Sequence, residues 1–370
     1  MVYLHLFGTE NEFSEEYYGS GYTEPWVSYT LETSAVNYNN NTNPLQKTPF
    51  TIQFVDTNSL YVTDIGVYDL EYRLNGGQWT PFPTDTLELY FSEGDEISFK
   101  GTQGTLETKS LNTFIQDKYR RMNVYGNIMS IVAGDGFESA TTINNGFVDF
   151  FQDWYGLISA ENLLLPATTL SESCYSGMFS NCTGLTKAPS ILPATTLTDS
   201  CYYHMFDGCS SLTTAPELPA TTLAYDCYDD MFGYCASLTQ APALPATALS
   251  EQCYYWMFIG CESLTTAPEL PATTLAAGCY SSMFYGCTGL TSAPELPALT
   301  LTGECYANMF QYCSSLNYIK CLATDISAGN CTGNWVDGVS GSGTFVKNPS
   351  MTSWPTGGSG IPSGWTTQNG

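Results

Sequence analysis

The chain has 370 residues, which is too long for one ordinary hydrophobic core and favours two or three domains. Only 12% of the residues are charged, and 36 Asp and Glu against 10 Lys and Arg give a formal net charge of −26. We therefore expect no nucleic-acid partner, because a phosphate footprint needs clustered Lys and Arg. No apolar run approaches the roughly 20 residues of a membrane span, so we expect no membrane insertion.

The amino-terminal residues predict an irregular arm. The first of them, MVYLHLFGTENEF, contain neither a basic segment nor a long apolar one, which predicts no secretory signal. Residues 1–45 are rich in Tyr and carry an Asn-rich stretch at 39–43. We predict that 1–45 is an irregular arm that docks on a partner, and the alternative is a surface extension of the next domain.

Residues 46–122 favour short β-strands. Segments 50–55 and 97–100 are rich in β-branched and aromatic residues, and 70–79 has the pattern of two strands joined by an Asn-Gly turn at 75–76. Several short strands at close spacing are typical of a small β-sandwich or barrel. We predict such a domain over 46–122.

A repeated unit of 26 residues dominates the rest of the chain. A typical copy reads C-Y-x-x-M-F-x-x-C-x-x-L-T-x-A-P-x-L-P-A-T-T-L, and its copies are spaced by 27 and then steadily by 26 residues. The first cysteines of the units are Cys174, Cys201, Cys227, Cys253, Cys279 and Cys305. The second cysteines are Cys182, Cys209, Cys235, Cys261, Cys287 and Cys313.

This period lies in the range of leucine-rich repeats, where each unit supplies a strand and a helical or irregular segment. At about 100° per residue, the near-invariant Cys, Tyr, Met and Phe fall on one helix face. The positions that vary, +2, +3 and +6 from the first Cys, fall on the opposite face. We predict short helical segments, each followed by a strand of about three or four residues that ends at the Pro of Ala-Pro.

The predicted fold is therefore a β module followed by a leucine-rich-repeat solenoid, with short parallel strands and short helical segments (an α/β solenoid). The solenoid should span 123–340 and be capped at both ends. Trp154 replaces the second Cys in the upstream cap, and Trp335 and Val336 occupy the Met-Phe positions downstream. The Gly- and Ser-rich residues 341–370 form the predicted C-terminal cap.

The cysteines are predicted to be a reduced core ladder. Two Cys eight residues apart on a helix lie about 12 Å apart, beyond the roughly 7 Å limit for a disulfide. A bridge between equivalent Cys of adjacent units stays open, but a free Cys is a small, well-buried apolar residue. The chain has no C-x-x-C and only two histidines, His5 and His204. We predict no metal, cofactor or catalytic site, and we expect Asp229 and Asp230 to be a solvated surface pair.

The unit resembles the BspA-like leucine-rich repeats of gut and oral bacteria. Their A-F-x-x-C and L-T-x-I-x-L-P stretches correspond here to Met-Phe-x-x-Cys and Leu-Thr-x-Ala-Pro-x-Leu-Pro. The longer, Cys-rich version resembles repeats in Bacteroidales surface proteins and in tail or fibre proteins of their phages. Residues 68–101 also resemble the β module that often precedes such repeats. The resemblance implies a repeat fold and a role in adhesion or recognition, without a reaction.

The residues at positions +2 and +3 are the candidates for partner binding. They include an aromatic strip with a neighbouring histidine, whose aromatic rings could stack on sugar rings or anchor a protein. The alternative is drift at unconstrained positions. The candidate residues are Tyr203, His204, Tyr255 and Trp256.

Three functions follow from this pattern. The first is a bacteriophage virion structural protein, a head or tail fibre, decoration or receptor-binding protein whose array adheres to the host surface. Its amino-terminal region would bind capsid or tail proteins, and its repeats would bind a bacterial surface glycan or protein. The chain would also form a homo-oligomer. The second is a bacterial cell-surface adhesin or glycan-binding repeat protein. The third is an enzyme with a repeat appendage, which we rank last because the sequence places no paired carboxylates in a cleft.

Overall fold

The computed structural model describes residues 43–62, 70–82, 87–101, 118–144 and 146–370. The predicted docking arm, 1–45, lies outside the described residues except for its last three positions, and it stays a prediction. Within the described residues the secondary structure consists of short strands, one α-helical turn, α1 (Ser130–Ala133), and two 3-10 helices, Pro44–Lys47 and Gly134–Ser139. The strands are β1 (Thr51–Phe54), β2 (Asn58–Val62), β3 (Leu70–Leu74), β4 (Thr80–Pro81), β5 (Leu87–Phe91), β6 (Glu96–Gly101), β7 (Met122–Asn127), β8 (Leu157–Leu164), β9 (Ser292–Leu296), β10 (Tyr318–Cys321), β11 (Thr344–Lys347) and β12 (Thr366–Asn369).

The amino-terminal strands form an open six-stranded sheet in the order β4-β3-β6-β1-β7-β8, and β2 pairs with β5 in a separate two-stranded sheet. The predicted hairpin is confirmed, since β3 and β4 are antiparallel with Tyr72 opposite Thr80. Its turn residues Asn75 and Gly76 have φ of 48° and 70°, the left-handed values that an Asn-Gly turn supplies. The described six-stranded sheet is not a closed barrel: β4 forms one edge, and β8 at the other edge is bridged to the next coil of the array, where Ser159 pairs with Lys187.

The predicted boundary between 122 and 123 falls inside strand β7. This strand is antiparallel to β1 on one side and parallel to β8 on the other. The strands predicted for the β domain and the first strand of the repeat region therefore share one sheet. The core is likewise continuous, because Phe50 of the first region contacts Phe150 and Phe151 of the second with ring centroids 6.0 and 5.9 Å apart.

The first half of each repeat is a run of turns, so the predicted helical segment is wrong. In the unit of Cys174, Ser176 N donates to Ser173 O three residues earlier, at 3.0 Å. The next residue, Gly177, instead donates its N–H to Tyr203 O of the following unit, at 2.8 Å. The two kinds of hydrogen bond alternate along the segment, so every second N–H joins one coil to the next.

Backbone dihedral angles explain why no helix forms. In this unit Ser173, Gly177 and Asn181 have φ of 54°, 61° and 58°, so every fourth residue is left-handed. An α-helix requires φ near −63° at each residue. Gly, Asn and Asp tolerate the left-handed region best, and they recur at these positions along the array. That recurrence is the sequence signal for turns.

The second half of each unit makes shorter strands than predicted. In several units isolated residues bridge to the next coil, as Lys187 does with Thr214 and Gln240 with Thr266. Towards the carboxyl terminus these bridges extend into a parallel sheet in the order β12-β11-β10-β9.

Strand β9 also continues through Pro294, whereas the strand was expected to end there. The pairing of β9 with β10 shifts register between Tyr318 and Lys320, opposite this proline. Proline has no N–H to give to the ladder, so the register shift lets the strand continue past the missing donor.

The core of the array consists of two columns of stacked rings. Consecutive Tyr rings lie 5.7–6.2 Å apart and consecutive Phe rings 5.2–5.7 Å apart, and nearly all pairs are close to parallel. The Tyr column comprises Tyr175, Tyr202, Tyr228, Tyr254, Tyr280 and Tyr306. The Phe column comprises Phe179, Phe206, Phe232, Phe258, Phe284 and Phe310.

The cysteines are buried and free, as the sequence predicted for a reduced core ladder. Each second Cys also makes a hydrogen bond to a neighbouring coil. Cys235 Sγ donates to Phe206 O at 3.2 Å, and Cys209 Sγ donates to Phe179 O at 3.1 Å. The thiol therefore combines apolar volume with a donor for a buried carbonyl, which explains why Cys recurs at this position.

Both ends of the ring columns are covered by other aromatic residues. Phe151 stacks on Phe179 at 5.1 Å, in the place that the sequence assigned to it. At the other end Trp335 stacks on Tyr306 at 6.2 Å and on Trp354 at 5.7 Å. Strands β11 and β12 extend the parallel sheet through 341–370, so the predicted cap covers the array by continuing it.

We predict that Phe232→Asp unfolds or strongly destabilises the protein. Phe232 is fully buried between Phe206 and Phe258, and an unpaired carboxylate there would interrupt the stack. We expect the free energy of unfolding to fall by about 4 kcal/mol or more, measured by urea denaturation.

The matched control is Ala243→Glu, in the second half of the same repeat unit. Ala243 is exposed, and equivalent positions already carry Glu217, Glu269 and Glu295. This control should unfold like the parent chain. A Phe232→Asp variant as stable as Ala243→Glu would show that the Phe column is not the core.

Candidate functional site

The variable positions of neighbouring units meet along one edge of the coil stack. The residue at +3 donates its backbone N–H to the carbonyl at +2 of the following unit. This holds for His204 with Asp229 at 2.9 Å and for Asp230 with Tyr255 at 2.9 Å. Residues 25 positions apart in sequence are therefore direct neighbours along this edge.

Position +3 is not free to drift. His204, Asp230 and Trp256 have φ of 52°, 51° and 53°, whereas equivalent units place Gly177 or Asn308 there. A left-handed conformation suits Gly and Asn and is strained for a bulky residue such as Trp. The backbone conformation thus restricts which residues suit position +3, although the residue type at this position varies from unit to unit.

An open groove of about 510 Å³ lies on this edge, across the units that begin at Cys227, Cys253, Cys279 and Cys305. Apart from Ile259, its described lining is aromatic or polar. The aromatic residues are Tyr234, Tyr255, Trp256 and Tyr285. The polar residues are Asp230, Ser282, Asn308 and Gln311.

The groove presents a stacked aromatic pair. The rings of Tyr255 and Trp256 have centroids 4.7 Å apart and an interplanar angle of 26°. Trp256 is 37% exposed, so much of its ring remains open to a ligand. The absence of a side chain at Gly260 lets the ring of Tyr234 pack against the neighbouring coil, because a Cβ at this position would lie 2.7 Å from Cδ1 of Tyr234.

Asp229 and Asp230 are buried, which corrects the expectation of a solvated surface pair. They are 8% and 5% exposed, because the coils on both sides cover position +3 and its neighbour. Burial, followed by the negative charges of Asp226 and Asp230, raises the pKa of Asp229 to about 8. Burial and the charge of Asp207 raise the pKa of Asp230 to about 7. The Oδ1 atoms of Asp229 and Asp230 have no hydrogen-bond partner among the described residues.

His204 faces this acidic cluster. Its Nδ1 lies 3.4 Å from Oδ2 of Asp230 and 3.6 Å from Oδ2 of Asp207. Burial lowers the pKa of His204, but the hydrogen bond that it donates to Asp207 and the charges of Asp230, Asp207 and Asp229 outweigh burial, so the pKa is raised. One ligand atom from each of His204, Asp207 and Asp230 lies within 4.8 Å of the others, which is close enough to share a cation.

The structure divides the predicted aromatic strip into two parts. Tyr255 and Trp256 line the groove, whereas Tyr203 packs on His204 at the acidic cluster, with ring centroids 3.9 Å apart. Asp230 belongs to both parts. Asp207 was not predicted as a site residue, and Asp230 was predicted only as a solvated surface residue, although aligning the units places Asp230 one coil after His204, at the same position.

The raised pKa values predict that stability falls as the pH rises from about 4 to about 8. In the folded chain Asp229 keeps its proton up to about pH 8 and Asp230 up to about pH 7. An unfolded Asp loses its proton at about pH 3.9. The folded state therefore binds more protons in this window, and the free energy of unfolding decreases as the pH rises. The raised pKa of His204 acts in the same direction. Urea denaturation in metal-free buffer at several pH values would measure this slope.

Asp229→Asn is the variant that tests the cause. Asn does not titrate, so the dependence on pH should become shallower than in the parent chain. Glu217→Gln, which removes an exposed carboxylate from the preceding unit, should keep the parent slope. Equal slopes for Asp229→Asn and the parent would rule out the buried aspartate as the source.

Comparisons with known proteins give one structural similarity. No protein-family model matches the chain, and no curated protein matches it. A leucine-rich repeat protein from Bacteroides ovatus, known from a crystal structure, is 13% identical over 60% of this chain and 77% of its own, with a TM-score of 0.19. Because this TM-score is low, the solenoid assignment rests on the ladders of this chain itself. Among the described residues, no helix is long and apolar enough to cross a membrane.

Proposed function

We propose that the protein is a non-enzymatic adhesion protein whose repeat array binds a bacterial surface glycan in the groove. The observation that carries this proposal is the stacked Tyr255–Trp256 pair on the groove wall, in which Tyr255 is half-buried and Trp256 is exposed. An aromatic face offers a flat apolar surface for the C–H face of a sugar ring, and such side chains are enriched at binding sites.

The polar lining supports the same ligand. Asp230, Asn308 and Gln311 present carboxylate and amide groups beside the aromatic wall. A few placed polar groups in a largely apolar cleft fix the orientation of a ligand, and sugar hydroxyls both donate and accept hydrogen bonds. A pyranose ring thus finds a stacking surface and hydrogen-bond partners in one groove.

The residue type at position 256 also supports a binding role. Trp256 has φ of 53°, and other units place Asn308 or Asn334 at this position with φ of 55° and 51°. The repeat architecture imposes the left-handed backbone here, and a bulky residue raises the free energy of the fold relative to Asn. We take the presence of Trp at this position, on the groove wall, as support for a role in binding.

An enzyme is less well supported than a binding protein. Glycoside hydrolysis generally uses two carboxyl groups that flank the scissile bond. Among the described residues that line the groove, Asp230 is the sole carboxylate. The groove therefore favours recognition of a saccharide over its cleavage.

The proposed location is a phage virion, with the array as a fibre, decoration or receptor-binding part. Two features support it: the resemblance of the Cys-rich unit to repeats of phage tail and fibre proteins, and a coil stack that gives a long, stiff surface. Capsid or tail proteins would then bind the amino-terminal region, and several copies of the chain would assemble together. A bacterial cell-surface adhesin is the second candidate, since the same groove would serve it.

We predict that Trp256→Asn weakens glycan binding without lowering stability. Asn suits the left-handed backbone, so the melting temperature should stay equal or rise, while the loss of the stacking ring should weaken affinity by about tenfold or more. Binding would be measured on an array of polysaccharides purified from the surface of Bacteroidales cells, in buffer containing EDTA.

Tyr318→Ser is the matched control. Tyr318 is also 37% exposed but lies on β10, outside the groove lining. This variant should bind as the parent does. Full glycan binding by Trp256→Asn would remove the groove from the proposed function.

The proposed location has its own test. Mass spectrometry of purified phage particles from the source culture should find this chain at a fixed ratio to the major capsid protein. That ratio would distinguish head decoration from a tail tip. Recovery of the chain only in bacterial outer-membrane fractions would replace the virion with the cell surface and leave the groove proposal intact.

A further inference from the structure

We propose that His204, Asp207 and Asp230 bind a Zn²⁺ ion. This site adjoins the groove through Asp230 but goes beyond the proposed function, because it requires no saccharide. Its three ligands come from two adjacent units, and the coil stack places them side by side.

The distances between the ligand atoms suit a small tetrahedral cation. Nδ1 of His204 lies 3.4 Å from Oδ2 of Asp230 and 3.6 Å from Oδ2 of Asp207. Zinc bonds to nitrogen and oxygen are about 2.0–2.2 Å long, which puts tetrahedral ligands about 3.3–3.6 Å apart. Both distances from His204 thus match those between tetrahedral ligands, and the two carboxylate oxygens lie within 4.8 Å of each other. Water would complete the coordination.

Electrostatics around the cluster favour a bound cation. Asp207, Asp226, Asp229 and Asp230 act on one another or on His204. The sequence contains no Lys or Arg between positions 188 and 315. The imidazole is therefore the sole basic side chain in these units, and the charges of Asp207, Asp229 and Asp230 act on it.

Unpartnered buried oxygens supply a further and independent indication. Asp230 is only 5% exposed. Its Oδ2 lies beside His204, and its Oδ1 has no hydrogen-bond partner among the described residues. Oδ1 of Asp229 is also buried without such a partner, and Asp229 is 8% exposed. Buried carboxylate oxygens without partners are unfavourable unless a proton or a cation compensates them.

The backbone holds the ligands in place before an ion binds. His204 N donates to Asp229 O at 2.9 Å, and Asp207 N donates to His204 O at 3.1 Å. The first bond joins the two coils, and the second closes the turn that carries both His204 and Asp207. Ligands on a rigid frame lose little conformational entropy on binding, which strengthens metal affinity.

The donor set selects the kind of ion. One imidazole nitrogen with two carboxylates suits zinc, whereas calcium and magnesium prefer oxygen ligands throughout and higher coordination numbers. No sulfur takes part, because the cysteines of these units are buried in the core columns. We therefore infer Zn²⁺ and use Ca²⁺ as the discriminating ion.

The full chain, stripped with EDTA and dialysed, would be titrated with Zn²⁺ by isothermal titration calorimetry. We expect one ion per chain, with no competition from millimolar Ca²⁺. His204→Asn and Asp230→Asn should each weaken Zn²⁺ binding by about tenfold or more, since losing even an outer partner of a zinc ligand has effects of that size. Asn suits the left-handed backbone at both positions, so the fold should persist.

A second readout isolates the histidine. The chain has two histidines, so its imidazole proton NMR signals are few, and the His204 signal is the one lost in His204→Asn. Zn²⁺ should shift this signal in the parent chain. Glu217→Gln, which removes an exposed carboxylate outside the cluster, should leave Zn²⁺ affinity unchanged.

Three results would overturn the proposal. They are no Zn²⁺ binding at one ion per chain, Zn²⁺ binding unaffected by both ligand variants, and Ca²⁺ binding that replaces Zn²⁺. A His204 signal that titrates with pH but ignores Zn²⁺ would identify a plain ion pair with the aspartates. Because glycan binding is measured in EDTA, failure of the metal site and failure of the groove are separate outcomes.

Discussion

The hydrogen bond from one coil to the next is the constraint on which the rest of the array depends. Every second N–H in the turn segments donates to a carbonyl about 26 residues later, as Gly177 does to Tyr203. This bond sets the vertical spacing of the coils and the register between them. With the coils in this register, the Tyr and Phe rings stack on one another and the buried thiols fill the space between the coils. Neither ring column could form if one coil were shifted along the next.

The same bond makes the candidate site. It places His204 beside Asp229 and Asp230 beside Tyr255, so residues of separate units share one surface. The left-handed backbone at position +3 turns these side chains to the edge of the stack, where the core columns do not reach. An array of nearly identical units thus builds one specialised site by changing a few positions in neighbouring coils.

The constant residues of the repeat predicted the core correctly but the local conformation wrongly. A turn segment with a period of four residues and a helix with a period of 3.6 place Cys, Tyr, Met and Phe on similar faces over two turns. Burial alone therefore cannot distinguish the two. The informative signal was Gly, Asn or Asp at every fourth residue, as at Gly177 and Asn181, which a helix does not need and a left-handed turn does.

Local pattern and side-chain polarity were enough to predict the repeat, the buried columns, the Asn75–Gly76 hairpin and the aromatic caps. They could not show that Asp229 and Asp230 are buried or that His204 meets Asp207 and Asp230. These side chains are covered and brought together by the coils above and below them. Those neighbours are remote in sequence, and the register of the coil-to-coil hydrogen bonds brings them into contact.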